Sequence, residues 1–224
     1  MNKLHVDSVT KSYNNKVILS DVFISCQIGE IKGLIGRNGC GKSSLLKIIF
    51  GIEKADFKYV RVGNKIIRTM TDRKDLINYL PQENFLPNNI SMRSLIILFL
   101  QKENRQVLFE NELIKPLLNK RNQELSGGEK RIVEILLIIH SKADYILLDE
   151  PFNGVSPVGR EYIVEYIRKN KLSKGFIITD HDYESVINLA DNIGYLNNGF
   201  LKEIREEREL AELGYFTNTL NANL

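Results

Sequence analysis

The chain has 224 residues, 43% of them hydrophobic and 26% charged, with a formal net charge of +3. That composition fits a globular protein long enough to bury a sizeable core, and the positive excess is too small and scattered to argue for a nucleic-acid partner. The longest apolar runs, LIILFL (95–100) and ILLII (135–139), fall well short of the ~20 residues that span a bilayer, and Cys26 and Cys40 show no metal-ligand spacing, so a reduced, cytoplasmic setting is expected.

Residues 2–34 read as strands with a turn at YNNK. The opening MNKLHVDSVTKSY alternates like a strand and lacks the apolar centre of a secretory leader. A helix follows at 42–50, then strand, turn and strand over 58–68 with Gly63-Asn64 at the turn, and a strand at 76–80. Residues 91–118 have helical spacing in two pieces, SMRSLIILFLQKE and NRQVLFENELIKPLL. A helix is expected over 126–141, a strand over 144–150, a helix over 157–170, a strand over 175–180 and a helix over 183–190. Two short strands around IGYL and FLKEI and a helical tail at 205–213 complete the chain, with NTLNANL expected to fray. Alternating strands and helices imply a mostly parallel sheet covered on both faces, a small flanking antiparallel sheet, and a separate helical lobe inserted at 83–125.

The stretch IGRNGCGKSS, residues 35–44, carries the first chemistry. It fits G-x-x-x-x-G-K-[ST] with Gly36, Gly41, Lys42 and Ser43 at the fixed positions, between a buried strand (EIKGLIG) and a helix (KSSLLKIIF). Glycines let backbone N–H groups converge on an anion, and the helix N-terminus adds unpaired N–H groups and partial positive charge. Lys42 is placed to reach the outer phosphates of a nucleotide and Ser43 to ligate Mg²⁺. The apolar strand YILLDE then places Asp149 at a strand's C-terminal end, where ligands bind in open α/β sheets, and Glu150 follows as a carboxylate able to accept a proton from water. In LSGGE, Ser126 is a good N-cap, Gly127 and Gly128 expose backbone N–H groups, and Glu129 completes a capping-box pattern, making a second helix N-terminus suited to phosphate.

With LSGGE in this order after the phosphate loop, nearly the whole chain resembles the ATP-binding cassette (ABC) ATPase family, whose signature motif this is. The resemblance implies a P-loop NTPase core (1–82 and 126–204) with a β-subdomain, a helical lobe (83–125) and a C-terminal tail (205–224). It also implies that Tyr13 stacks on adenine and that the loop from Gly36 through Asn38, Gly39, Cys40, Gly41, Lys42 and Ser43 to Ser44 is the Walker A motif. Gln82 in YLPQE matches the Q-loop glutamine that touches Mg²⁺ or water. Asp149 and Glu150 match Walker B and its catalytic glutamate, with Ser43, Gln82 and Asp149 around the metal. His181 in ITDHDY matches the switch histidine at the γ-phosphate.

One position departs from the family pattern: Ser156 stands where the D-loop aspartate is usual. The lobe is also short, with 43 residues between Gln82 and Ser126, and only 82 residues separate Ser43 from Ser126, too few for the long coiled coil of the chromosome-associated branch. The family resemblance implies a Mg²⁺-dependent ATPase in which two subunits, expected as a homodimer, close head to tail around two ATP. Each phosphate loop then faces the partner's Ser126, Gly127, Gly128 and Glu129. The expected role is to power a separate transmembrane permease from the inner face of the membrane. The alternative is a soluble assembly ATPase of the iron–sulfur cluster type.

Overall fold

The computed structural model describes residues 3–204 and 206–212. β1 (Lys3–Tyr13) and β2 (Lys16–Gln27) form an antiparallel hairpin closed by Asn14 and Asn15, both in the left-handed region at φ 47° and 64°. A two-residue turn of that hand matches the twist of the flanking strands, and asparagine tolerates it. β4 (Phe57–Val62) and β5 (Lys65–Ile66) add to this hairpin, giving a four-stranded antiparallel sheet in the order β2-β1-β4-β5.

The larger sheet has six strands in the order β10-β9-β3-β8-β7-β6. β3 (Ile31–Ile35), β7 (Tyr145–Asp149) and β8 (Gly175–Thr179) are buried along their whole length. Such continuous burial suits central parallel strands covered on both faces. β6 (Ile77–Leu80) and β9 (Asn192–Asn197) extend the parallel set, and β10 (Phe200–Ile204) turns back antiparallel on β9. Helices α1 (Lys42–Phe50), α5 (Gly127–Ile139), α6 (Pro157–Asn170) and α7 (Tyr183–Leu189) follow β3, precede β7, follow β7 and follow β8 respectively. The order is the expected α/β one, with the mostly parallel sheet and its small antiparallel companion both present.

Three local features differ from expectation. Residues 70–73, between the strands expected at 58–68 and 76–80, form the single-turn α2 (Met70–Arg73), capped by reciprocal bonds between Thr69 and Asp72. The break inside the inserted segment falls earlier than expected, between α3 (Met92–Phe99) and α4 (Lys102–Glu110), because Leu100 turns extended and buries its side chain. Beyond Glu110 the chain proceeds by turns, including a short 3-10 turn at Lys115–Leu117; Pro116, lacking an N–H, cannot continue an α-helix. In the tail, α8 (Glu207–Glu212) occupies most of the expected helix; Leu213 and the stretch NTLNANL lie outside the described residues.

The two faces of the large sheet bury different cores. Leu34, Leu147 and Ile177 pack with α1 and the inner face of the antiparallel sheet. Ile146, Leu148 and Phe176 pack with α5 and α6 on the other face, and Leu95, Ile96, Leu108 and Ile114 of the inserted segment join that same cluster. The inserted segment is therefore a lobe in sequence but has no core of its own.

Candidate active site

The phosphate loop follows β3 and hands over to α1, as expected from its flanking patterns. Two of its glycines are required by space as well as by conformation. A Cβ on Gly36 would lie 2.4 Å from the Leu196 carbonyl oxygen and 2.7 Å from the Cys40 sulfur. Gly41 sits at φ 111° at the N-cap of α1, with Ile18 2.9 Å from where its Cβ would be. The loop thus curls tightly over the C-terminal end of central strand β3, a cradle that any side chain at these points would fill.

A cleft of about 560 Å³ opens in front of this loop, lined by Tyr13, Ile18, Asn38, Gly39, Gly41, Lys42, Ser43, Ser44, Gln82, Glu150 and His181. The structure thus brings together residues separated by up to 168 positions, from Tyr13 on β1 to His181 just after β8. Gly36, Cys40 and Asp149 do not line it. Cys40 turns its sulfur back toward Gly36, and burial pushes its thiol above the ordinary value, so this residue can contribute to an anion site only through its backbone.

Lys42 is 7% exposed, and its ammonium donates to the carbonyls of Gly36 at 2.7 Å and Arg37 at 3.3 Å. Its charge is thus held directly beneath the loop. The Ser43 hydroxyl donates to Asp149 at 2.9 Å, and the Tyr79 hydroxyl donates to the other oxygen of the same carboxylate at 2.8 Å. Asp149 is fully buried, and burial pushes its carboxyl above the usual range against the pull of these two donors. The hydrogen-bond partners of its carboxylate are neutral hydroxyls, and that carboxylate forms no ion pair among the described residues. A hydroxyl and a carboxylate together are hard oxygen ligands of the kind Mg²⁺ prefers, completed by substrate phosphate and water. Among the described residues no cluster of three or more His, Cys, Asp or Glu could hold a metal unaided. The donor set therefore fits a cation shared with phosphate, not a protein cage.

Glu150 stands beside this pair. Gln82 donates its amide to Glu150 Oε2 at 2.7 Å, and His181 Nδ1 lies 3.8 Å from the same oxygen and 3.2 Å from Asp180. Glu150 adopts φ 50°, a left-handed conformation uncommon for a glutamate. Residues held in such regions persist when their surroundings over-determine them, and they cluster at functional sites. Here the Glu150 N–H donates to the Thr179 carbonyl at 2.7 Å and its carbonyl accepts from Arg131 at 2.9 Å.

Tyr13 projects at the rim, 44% exposed, with Lys11 stacked 4.5 Å from its ring centroid. Its hydroxyl bonds Glu53 and lies 3.5 Å from the Ser44 hydroxyl. That bond to Glu53 is the main cause of its raised phenol pKa.

Ser126, Gly127, Gly128 and Glu129 are placed elsewhere. They form the N-terminus of α5, with the capping box closed as its residues suggest: Ser126 N–H to Glu129 at 2.7 Å and Glu129 N–H to the Ser126 hydroxyl at 3.3 Å. None of the four lines the cleft, and Ser126 and Gly127 are exposed. Ser156 caps α6, accepting from the Gly159 N–H at 3.2 Å.

Sequence reasoning missed Tyr79, Arg131 and Glu134. Arg131 is 3% exposed and Glu134 is fully buried, with 3.6 Å between them. The available signal was two opposite charges at i and i+3 inside the apolar run that ends in ILLII.

Comparisons with known proteins identify the family. Residues 19–153, more than half of the chain, match the family model described as ABC transporter. The lipopolysaccharide export system ATP-binding protein LptB of Escherichia coli K12 is 30% identical over 217 residues, covering 90% of this chain and 89% of its own length. The spermidine/putrescine import ATP-binding protein PotA of Mycoplasma capricolum is 28% identical, covering 93% of this chain and 63% of its own length. A solved nucleotide-free ATP-binding cassette superposes with a TM-score of 0.79 at 24% identity, covering 96% of each chain. Another cassette, in its ADP conformation, gives 0.76 at 26% identity, covering 95% of this chain and 94% of its own. Site and comparisons lead to one conclusion: the chain belongs to the ABC transporter family, as one of its ATP-binding subunits.

Proposed function

We infer that the chain hydrolyses ATP to power transport by a separate membrane-spanning permease. The observation that carries this reading is a cleft lined by a phosphate loop and by a carboxylate flanked by a glutamine and a histidine, with a second, buried carboxylate behind its wall that accepts from the loop's serine. In the proposed arrangement adenine stacks on Tyr13. The phosphates lie on the backbone N–H groups from Asn38 to Ser44, with Lys42 supplying positive charge. Ser43, Asp149 and Gln82 would hold Mg²⁺, which would neutralise charge on the β- and γ-phosphates. Glu150 accepts a proton as water forms its bond to the γ-phosphorus and the bond to the β-phosphate oxygen breaks, leaving ADP and inorganic phosphate. His181, facing Glu150, reads the presence of the γ-phosphate.

Ser126 to Glu129 lie off the cleft, with Ser126 and Gly127 exposed and Gly128 and Glu129 half-buried, which supports a head-to-tail dimer in which they meet the nucleotide of a second copy. The domain division proposed is a nucleotide-binding core of 1–82 and 126–204 with 83–125 inserted as the lobe. No helix among the described residues is long and apolar enough to cross a membrane, so the permease and the location at the inner face would be supplied by a partner. The relatives described above include export and import subunits. They favour transport over an iron–sulfur assembly role.

Affinity purification from native membranes in mild detergent tests this reading. A stoichiometric multi-span protein is the expected companion. Soluble partners alone, with the chain missing from the membrane fraction, would overturn the transport assignment and leave the ATPase.

A further inference from the structure

Arg131 and Glu134 lie on α5, outside the cleft, yet their bonds converge on it. The Arg131 guanidinium donates to the carbonyl of Pro81 at 2.6 Å, of Asp149 at 2.6 Å and of Glu150 at 2.9 Å. The first acceptor is adjacent to Gln82, and the other two belong to the metal-site carboxylate and its neighbour. Glu134 takes the far end of the same loop, accepting from the backbone N–H groups of Phe85 at 2.9 Å and Leu86 at 3.4 Å. One buried ion pair therefore grips the segment 81–86 at both ends and the chain at Asp149-Glu150 in between.

We propose that Arg131 and Glu134 act as a positioning clamp, fixing Gln82 against Glu150 and holding Glu150 in its left-handed conformation so that its carboxylate faces the attacking water. The proposal rests on the hydrolytic reading above and concerns how that site is held in shape.

Two arguments favour this role over simple stabilisation of the fold. A buried ion pair is weak evidence for stability, because desolvation offsets much of the attraction, whereas its directional bonds specify geometry. The conformation of Glu150 also needs restraint on both sides of its Cα. Thr179 supplies one through the N–H and Arg131 the other through the carbonyl. Three carbonyls on two separate segments can be spanned by the planar fork of arginine but not by the compact ammonium of lysine.

The test is Arg131→Lys, which retains the charge opposite Glu134, with Glu134→Gln as a second variant of the same shape as the native residue. For Arg131→Lys, kcat is expected to fall by about 10- to 100-fold, the scale of a small misplacement at a reacting centre. ATP affinity, measured by titration calorimetry, is expected to stay within about threefold, since the phosphate loop is untouched. Glu134→Gln should lower kcat in the same sense but less, because its amide oxygen can still accept from Phe85 and Leu86. Hydrogen exchange at the Phe85 and Leu86 amides should accelerate in both variants without a matching rise in the β7 and β8 amides. If Arg131→Lys does not fold, Glu134→Gln decides by the same readouts. Wild-type kcat with unchanged exchange at 85–86 would overturn the clamp, as would a loss of ATP affinity in step with kcat. Glu150→Gln is measured alongside. If it turns over normally, the hydrolytic reading fails and the clamp with it; if it is inactive while Arg131→Lys is fully active, the clamp alone fails.

Discussion

Glu150→Gln is expected to lower steady-state ATP turnover by about 10²- to 10⁴-fold, the range that a positioned general base contributes. The substitution is nearly isosteric. The amide oxygen can still accept from Gln82, and the backbone restraints through Thr179 and Arg131 do not involve the side chain. Basicity is lost and little else. Binding should survive, because the phosphate loop, Lys42 and the Ser43–Asp149 pair are separate from this carboxylate. The variant should therefore hold ATP unhydrolysed and accumulate as a closed dimer. Phosphate release and size-exclusion chromatography with ATP check the two parts independently. Unchanged turnover would remove Glu150 from the reaction.

Lys42→Ala should act at the preceding step. The ammonium, 7% exposed and held by two loop carbonyls, is the buried cation of the phosphate loop. A hydrogen bond to a charged group contributes about 1.5–3 kcal/mol, so affinity for ATP should drop by roughly 10- to 100-fold or more. Titration calorimetry reads the affinity, and thermal unfolding without nucleotide shows whether the fold is retained. Normal affinity in a folded variant would mean that the loop does not bind phosphate as proposed.

How much of this was legible in the residues depends on the range of the cause. The phosphate loop, the strand carrying Asp149 and Glu150, and the cap at Ser126 are local: glycine spacing, an apolar run of strand length and a capping box each act within a few residues. All three appear in the structure where they are expected. The Asn14-Asn15 turn is equally local. The break at Leu100 was not legible, because LIILFL continues the helical pattern and only the tertiary core decides that Leu100 leaves the helix to be buried. Arg131 and Glu134 were missed for a related reason. Spacing shows that they can pair, but their other partners, Pro81, Phe85, Leu86, Asp149 and Glu150, come from distant chain segments. The turn of Cys40 away from the cleft likewise depends on the packing around Gly36.

The shared core of the inserted lobe carries a consequence for how the molecule comes apart. Leu95 and Ile96 are fully buried in the cluster that also contains Leu136, Ile146 and Phe176, so the lobe has no independent store of apolar burial to melt by itself. Leu95→Ala should cost about 2–5 kcal/mol, like other large-to-small changes in a packed interior. Because the loss falls on a common cluster, calorimetry should show one transition moved to lower temperature for the whole protein, by about 2–4 °C per kcal/mol at this chain length. An early, separate transition for the lobe would show that its apparent continuity with the sheet is not a cooperative one.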